Sequence, residues 1–173
     1  METREPYLKD LMGHVMQIIY VIFLGILIAV FFGLGIDTFY PAPKPPEYPE
    51  LLMSQQYKTV PSETQTEEEI SAQKSYDEAQ SKYTEDMKPH SRNVSIIALV
   101  LSVIALALSL TILMRWEVIA NGVLLGGVFT LGYSIIQGMM TEDTRFRFVI
   151  VSVGVLVSLV LGYYKFIKPT QKK

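Results

Sequence analysis

Apolar residues along this chain are concentrated in four long runs, separated by polar segments of very unequal length. A helix rises about 1.5 Å per residue, so about 20 apolar residues are enough to cross the hydrocarbon core of a membrane. The runs predict membrane-spanning helices over residues 11–36, 92–119, 122–140 and 145–167. We therefore expect an all-α membrane protein built on a four-transmembrane-helix bundle.

The longest polar segment, residues 37–90, lies between the first and second predicted spans. Its first part, residues 37–50, is rich in proline, which disfavours a helix interior and favours an extended spacer. Such a stretch can also be a ligand for a proline-recognising module. We favour the spacer, because those modules are mostly cytosolic and this insertion is expected to lie outside the cytoplasm.

Residues 66–88 predict one amphipathic helix of about five turns. A capping-box pattern at Thr66 and Glu69 marks its start, and Pro89 marks its end. The face expected to make contacts carries three residues at helical spacing: Tyr76, Tyr83 and Met87. We expect this face to dock on a protein partner, on a second copy of the chain or on the membrane ends of the spans. A solvated helix without a partner is the alternative.

The link between the second and third spans is very short, so these spans are expected to be antiparallel neighbours. Asn121 and Gly122 form the pair best suited to a tight turn, since both residues tolerate a positive φ angle. We take this pair as the preferred point of reversal. The alternative is a reversal at residues 115–117, where charged side chains interrupt the apolar sequence.

Basic residues favour a topology in which both termini are cytoplasmic. The side of the termini would carry two basic residues of the N-terminal segment (residues 1–10), Arg115 and the four C-terminal lysines, three of them in the basic tail (residues 168–173). The short opposite turn has only Arg145 and Arg147. The insertion between the first and second spans would then face outward as an extracytoplasmic helical arm. We expect the protein in the plasma membrane, specifically a bacterial inner membrane.

Small residues recur at four-residue spacing in the predicted spans, a pattern that lets helix backbones approach closely. The residues expected to pack helices together are Gly122, Gly126, Gly154, Ser158 and Gly162. We favour close packing inside one bundle over a dimer interface or a pore lining.

Two polar pairs lie within the predicted spans. Tyr133 and Gln137, one turn apart, are expected to be buried and to form an interhelical hydrogen bond, with a solute contact as the alternative. His14 and Gln17, near the start of the first span, are expected at the level of the lipid headgroups. The alternative for this second pair is a polar contact facing the bundle.

Composition excludes several classes of function. Four spans within 173 residues leave no room for a separate soluble enzyme domain, and the absence of cysteine excludes disulfides and thiol chemistry. A net charge of −2 gives no basic signal for nucleic acid. No catalytic set, metal cluster or phosphate loop can be assembled. We therefore expect neither an enzyme nor a cofactor, metal or nucleic-acid site.

Among the polar segments of the chain, the amphipathic helix is the one with a regular pattern of apolar and polar residues, and we base the expected function on it. We expect a binding, scaffolding or accessory subunit in the lipid bilayer, which contacts a protein partner or a second copy through residues 66–88. The alternative is a small oligomeric permease or channel for an unidentified solute, suggested by the glycine-rich third span with Tyr133 and Gln137. The residues carry no family signature that would narrow this further.

Overall fold

The computed structural model describes residues 4–56 and 66–167, and over these residues the ordered elements are all helical. The basic tail lies outside the described residues. The elements are α1 (Arg4–Phe39), α2 (Glu50–Gln56), α3 (Glu67–Thr111), a 3₁₀ turn (Leu113–Arg115), α4 (Glu117–Met139), α5 (Thr144–Gly162) and a π-helical turn (Tyr163–Ile167).

Four helices are long and apolar enough to cross a membrane, which confirms the prediction of an all-helical chain with four such helices. The helices are Leu11–Phe39, Glu67–Thr111, Glu117–Met139 and Thr144–Lys165, and each contains an apolar stretch of 18 residues or more. The proline-rich stretch between α1 and α2, residues 41–49, contains neither helix nor strand, as its composition predicts.

The chain divides into two compact units. We call Met1–Pro41 together with Ser91–Lys173 the bundle unit, and Ala42–His90 the insertion unit. Helices α1, α4 and α5 belong to the bundle unit and α2 to the insertion unit, whereas α3 begins in the insertion unit and ends in the bundle unit.

The predicted boundary between the amphipathic helix, residues 66–88, and the second span lies inside helix α3 and is therefore wrong. Helix α3 continues through Pro89 as a single helix. An internal proline costs about 3 kcal/mol, whereas nucleating a new helix carries a factor of about 10⁻³, or about 4 kcal/mol. Continuing the helix has the smaller penalty. Its start is as predicted, because the backbone N–H of Thr66 donates to Oε2 of Glu69 at 2.8 Å.

The preferred reversal at Asn121 and Gly122 is wrong, because both residues lie inside α4. The chain turns between Thr111 and Glu117, which agrees with the alternative interpretation. Trp116 leaves the helical conformation there, with φ −114° and ψ 79°. No glycine in the described part of the chain has a positive φ angle, so Gly122 is not a turn residue.

Helix α4 contacts each of the other helices of the bundle unit. It runs parallel to α1, since Leu24 lies against Gly122 and Ile28, one turn further along, lies against Gly126. The starts of α1 and α4 are therefore at the same end of the bundle unit.

Helices α3 and α5 are both antiparallel to α4. Hydrogen bonds join Ser95 to Ser134 and Ser109 to Ala120, which confirms the predicted antiparallel pairing of the second and third spans. The direction of α5 follows from two further contacts: Gly138 with Ile150, and Ile135 with Gly154.

Many of the buried side chains are small or carry a hydroxyl group, while many large apolar side chains face outward. The buried polar residues are Ser91, Ser95, Ser102, Ser109, Thr130, Ser134 and Thr141. In contrast, Phe31 on α1 is 71% exposed. Water would disfavour this distribution, because the hydrophobic effect drives large apolar groups inward. Hydrocarbon solvates those groups, and small residues then allow close helix contact.

Candidate functional site

Helices α3 and α4 meet along a line of small side chains that repeats every seven residues. A seven-residue repeat keeps two helices in contact over several turns, and small residues reduce the distance between them. We call this line the small-residue interface; its members are Ser95, Ser102 and Ser109 on α3 and Ala120, Gly127 and Ser134 on α4, all buried.

Hydroxyl groups donate across the small-residue interface to backbone carbonyl oxygens. Ser95 Oγ donates to Ser134 O, and Ser134 Oγ donates to Ser95 O, each at 2.7 Å. Ser109 Oγ donates to Ala120 O, also at 2.7 Å. Ser102 Oγ instead donates to a carbonyl of its own helix at 2.8 Å. The interhelical bonds fix how far α3 is shifted along α4.

The predicted glycine pair, Gly122 and Gly126, lies against α1. A β-carbon at Gly122 would lie 2.6 Å from a methyl carbon of Leu24. One at Gly126 would lie 2.8 Å from Ile28 and 3.1 Å from the carbonyl oxygen of Gly25. These distances leave no room for a larger side chain without displacement, so both glycines serve packing between helices of one chain.

The residues predicted to pack along the fourth span have different surroundings. Gly154 is buried, and a β-carbon there would lie 3.0 Å from Cδ1 of Ile135 on α4. Ser158 is exposed, and its Oγ donates to the carbonyl oxygen of Gly154 at 2.9 Å. A β-carbon at Gly162 would have nothing within 4 Å. Gly154 is thus the member of this set that the structure places against another helix.

Tyr133 and Gln137 are half-buried and bond to each other, since Nε2 of Gln137 donates to the hydroxyl oxygen of Tyr133 at 3.0 Å. The hydrogen bond expected between helices is therefore formed within α4. Tyr133 also packs against a cluster of Ile36, Val94 and Ala98, which come from α1 and α3. The pairing gives two polar side chains a partner within the helix packing.

The predicted contact face is half-buried within the insertion unit, at Tyr76, Tyr83 and Met87 alike. The ring of Tyr76 meets that of Tyr48 edge to face, with centroids 5.0 Å apart and an interplanar angle of 72°. Tyr48 comes from the proline-rich stretch, so the insertion unit covers part of this face with its own chain.

Among the described side chains of the insertion unit, three large aliphatic ones are about half exposed. Leu51 and Met53 on α2 are 48% and 50% exposed, and Ile70 on α3 is 53% exposed. Sequence reasoning missed α2, because a helix of seven residues is too short to show a periodic pattern. The buried Leu52 between the two exposed residues is the signal that α2 has an inner side.

A cavity of about 520 Å³ lies between the starts of α1 and α4. His14 and Gln17 line it from α1, and Glu117 and Asn121 line it from α4. Nζ of Lys165, beyond the end of α5, donates to Oδ1 of Asn121 at 2.6 Å. Sequence reasoning did not bring these groups together, because it placed Glu117 at the end of the second span and Asn121 on the turn that follows it.

Comparisons of the chain with protein-family models, with curated proteins and with solved structures find no match. The class that the fold defines is an all-helical protein with four helices long and apolar enough to cross a membrane. Within the part of the chain that the structure describes, no three His, Asp or Glu side chains are grouped so that they could hold a metal ion.

Proposed function

We propose that this protein is an accessory or scaffolding subunit of the plasma membrane. Its four-transmembrane-helix bundle would hold an extracytoplasmic arm, the insertion unit Ala42–His90, and the arm would contact a protein partner. The observation that carries the proposal is the insertion unit itself: it is compact, it has its own aromatic contact between Tyr48 and Tyr76, and it leaves apolar side chains exposed.

The packing of the bundle unit supports a role as an anchor. A β-carbon at Gly127 would lie 2.7 Å from a methyl carbon of Leu106, so α3 and α4 meet without space for a solute. The polar pair Tyr133 and Gln137 is used for a bond within α4. These contacts favour a close-packed support over a pathway through a single chain.

The exposed side chains of the arm support a contact surface of modest affinity. Complete burial of a leucine, methionine or isoleucine side chain contributes about 1.5–3 kcal/mol. Covering the half-exposed Leu51, Met53 and Ile70 therefore supplies roughly 2–4 kcal/mol. This gain suits a partner that is already confined to the same membrane, because confinement raises the effective concentration of the two surfaces.

Photocrosslinking of the full chain in its membrane tests the proposal. A photoreactive amino acid at Ile70 or Met53 is expected to give a discrete adduct with one protein. The same group at Glu78 or Gln80, which are exposed polar positions on α3, is expected to give none. An adduct of twice the 19.6 kDa chain would identify a second copy as the partner. Equal labelling at all four positions would contradict a defined contact surface on the arm.

A further inference from the structure

The cavity between the starts of α1 and α4 has a polar part and an apolar part. His14 and Gln17 of α1 face the same cavity as Glu117 and Asn121 of α4. The remaining lining is entirely apolar and consists of Ile18, Val21, Ile22 and Val118. On α1 the apolar residues follow the polar ones along the helix, so the lining changes character toward the middle of the apolar segment.

Charge decides what kind of group suits the polar part. Among the side chains that the structure describes, Glu117 supplies the carboxylate of the lining, and neither lysine nor arginine belongs to it. His14 is the other titratable group of the lining. Oδ1 of Asn121 already accepts from Lys165 at 2.6 Å, so Glu117 with Gln17 forms the part that favours a cation able to donate hydrogen bonds. Glu117 also lines a neighbouring cavity of about 380 Å³ together with Lys165. The ammonium of Lys165 therefore lies beside the cavity, where it could pair with an anionic group attached to the bound cation.

The apolar part of the lining indicates whether the cation belongs to a lipid or to a soluble amine. A soluble amine would leave Ile18, Val21 and Ile22 without an apolar partner, whereas a lipid would place hydrocarbon on them. The cavity lies at the start of two helices that are long and apolar enough to cross a membrane, the level at which lipid headgroups meet acyl chains. The volume of about 520 Å³ admits a headgroup and the first part of a chain.

We propose that this cavity binds a phospholipid whose headgroup carries a primary ammonium group. The ammonium lies against Glu117, the phosphate lies toward Lys165, and the acyl chain follows the apolar side chains of α1. The site is independent of the arm, so its test is separate from that of the proposed function.

Headgroup chemistry provides a sharp comparison. A primary ammonium can donate up to three hydrogen bonds to acceptors such as the Glu117 carboxylate, whereas the quaternary ammonium of phosphatidylcholine has no proton to donate. We expect the delipidated full-length protein to retain phosphatidylethanolamine about tenfold better than phosphatidylcholine with the same acyl chains. Native mass spectrometry at equal lipid concentrations measures the retained fractions.

Two variants and one control locate the site. Glu117→Gln is expected to abolish the preference for phosphatidylethanolamine, and the matched change Glu85→Gln, at an exposed acid of the insertion unit, to keep it. Ile22→Trp fills the apolar part and is expected to reduce retention of both lipids while Glu117 remains. Gel filtration and melting temperature establish that each variant is folded, and Ile22→Trp keeps the test decisive if Glu117→Gln does not fold.

Several results would overturn the proposal. Equal retention of phosphatidylethanolamine, phosphatidylcholine and phosphatidylglycerol would show lipid adhesion without headgroup selection. A preference that survives in Glu117→Gln would place the selecting group elsewhere. Displacement of phosphatidylethanolamine by free ethanolamine at equal concentration would show that the site takes a soluble amine instead of a lipid.

Discussion

Ser95 and Ser134 donate hydrogen bonds to each other's backbone, with Oγ of each 2.7 Å from the carbonyl oxygen of the other. Both residues are fully buried between α3 and α4. The bond from Ser109 to Ala120 repeats the link about 21 Å further along α3, at about 1.5 Å per residue. Hydroxyl groups at the two ends of the small-residue interface thus fix the alignment of these helices.

Replacing Ser95 and Ser134 together by alanine is expected to lower the free energy of unfolding by about 1–3 kcal/mol. Two interhelical hydrogen bonds are lost, while the small side-chain volume is kept. Reversible unfolding in mixed micelles, followed by circular dichroism, measures the difference.

The control for this pair is Ser102→Ala. Ser102 is equally buried in the same interface but donates within α3, so its removal breaks no bond between helices. We expect a loss well below that of the double variant. An equal loss would mean that burial of the hydroxyl group, not the exchange between helices, determines the stability.

Gly126 and Ile28 provide a test of the α1–α4 contact. Gly126→Ala places a β-carbon 2.8 Å from Ile28 and 3.1 Å from the carbonyl oxygen of Gly25. We expect this overpacking to cost about 1–3 kcal/mol. Ile28→Ala removes the side chain that clashes, so the double variant should recover part of the loss. A double-mutant cycle of thermal or micellar unfolding measures the coupling.

Gly132→Ala is the matched control, because a β-carbon at this position of α4 has nothing within 4 Å. It should leave the stability unchanged or raise it slightly, since alanine has the higher helix propensity. Additive losses for Gly126 and Ile28, without recovery in the double variant, would contradict the packing of α1 on α4 described above.

Local composition was enough to predict the four apolar helices, because the length of an apolar run decides whether a helix can cross a membrane. It was not enough to decide what Gly122 does. Glycine suits both a positive φ angle and the close approach of another helix, and the sequence alone does not show which of the two requires it. Leu24, which makes Gly122 necessary for packing, lies far away along the chain.

The candidate sites depend even more on long-range contacts. The cavity brings His14 together with Glu117 only because α1 and α4 are parallel neighbours, and no local pattern contains that information. The aromatic contact between Tyr48 and Tyr76 likewise joins a proline-rich stretch to a helix. The seven-residue spacing of Ser95, Ser102 and Ser109 is a local pattern that brings side chains back to nearly the same face of a helix, but the sequence analysis did not single it out.

Asp143 caps the start of α5. Its Oδ1 accepts hydrogen bonds from the backbone N–H of Arg145 at 2.9 Å and of Phe146 at 3.4 Å. Asp143→Ala leaves these donors without this acceptor and is expected to cost about 0.5–2 kcal/mol. Asp143→Asn retains a side-chain oxygen and should stay close to the original stability. Faster amide hydrogen exchange at the start of α5 in the alanine variant alone would report the loss, and identical exchange in both variants would contradict the capping role.

The chain has no cysteine, so single cysteines can report which side of the membrane each connection faces. If α3, α4 and α5 each cross once, Glu78→Cys and Glu142→Cys lie on one side and Arg115→Cys on the other. We expect an impermeant maleimide to label the first two in intact cells, and Arg115→Cys only after permeabilisation, because basic residues favour the cytoplasm.

Val155→Cys is the control for the membrane itself. Val155 is 53% exposed, but its surroundings would be hydrocarbon, so its thiol should not react under either condition. Labelling of Val155→Cys in intact cells would show that α5 is in contact with water and does not cross. Labelling of both Arg115→Cys and Glu142→Cys in intact cells would show that α4 does not cross between them. If instead Arg115→Cys reacted in intact cells and Glu142→Cys only after permeabilisation, the spans would be the same and the orientation would be reversed.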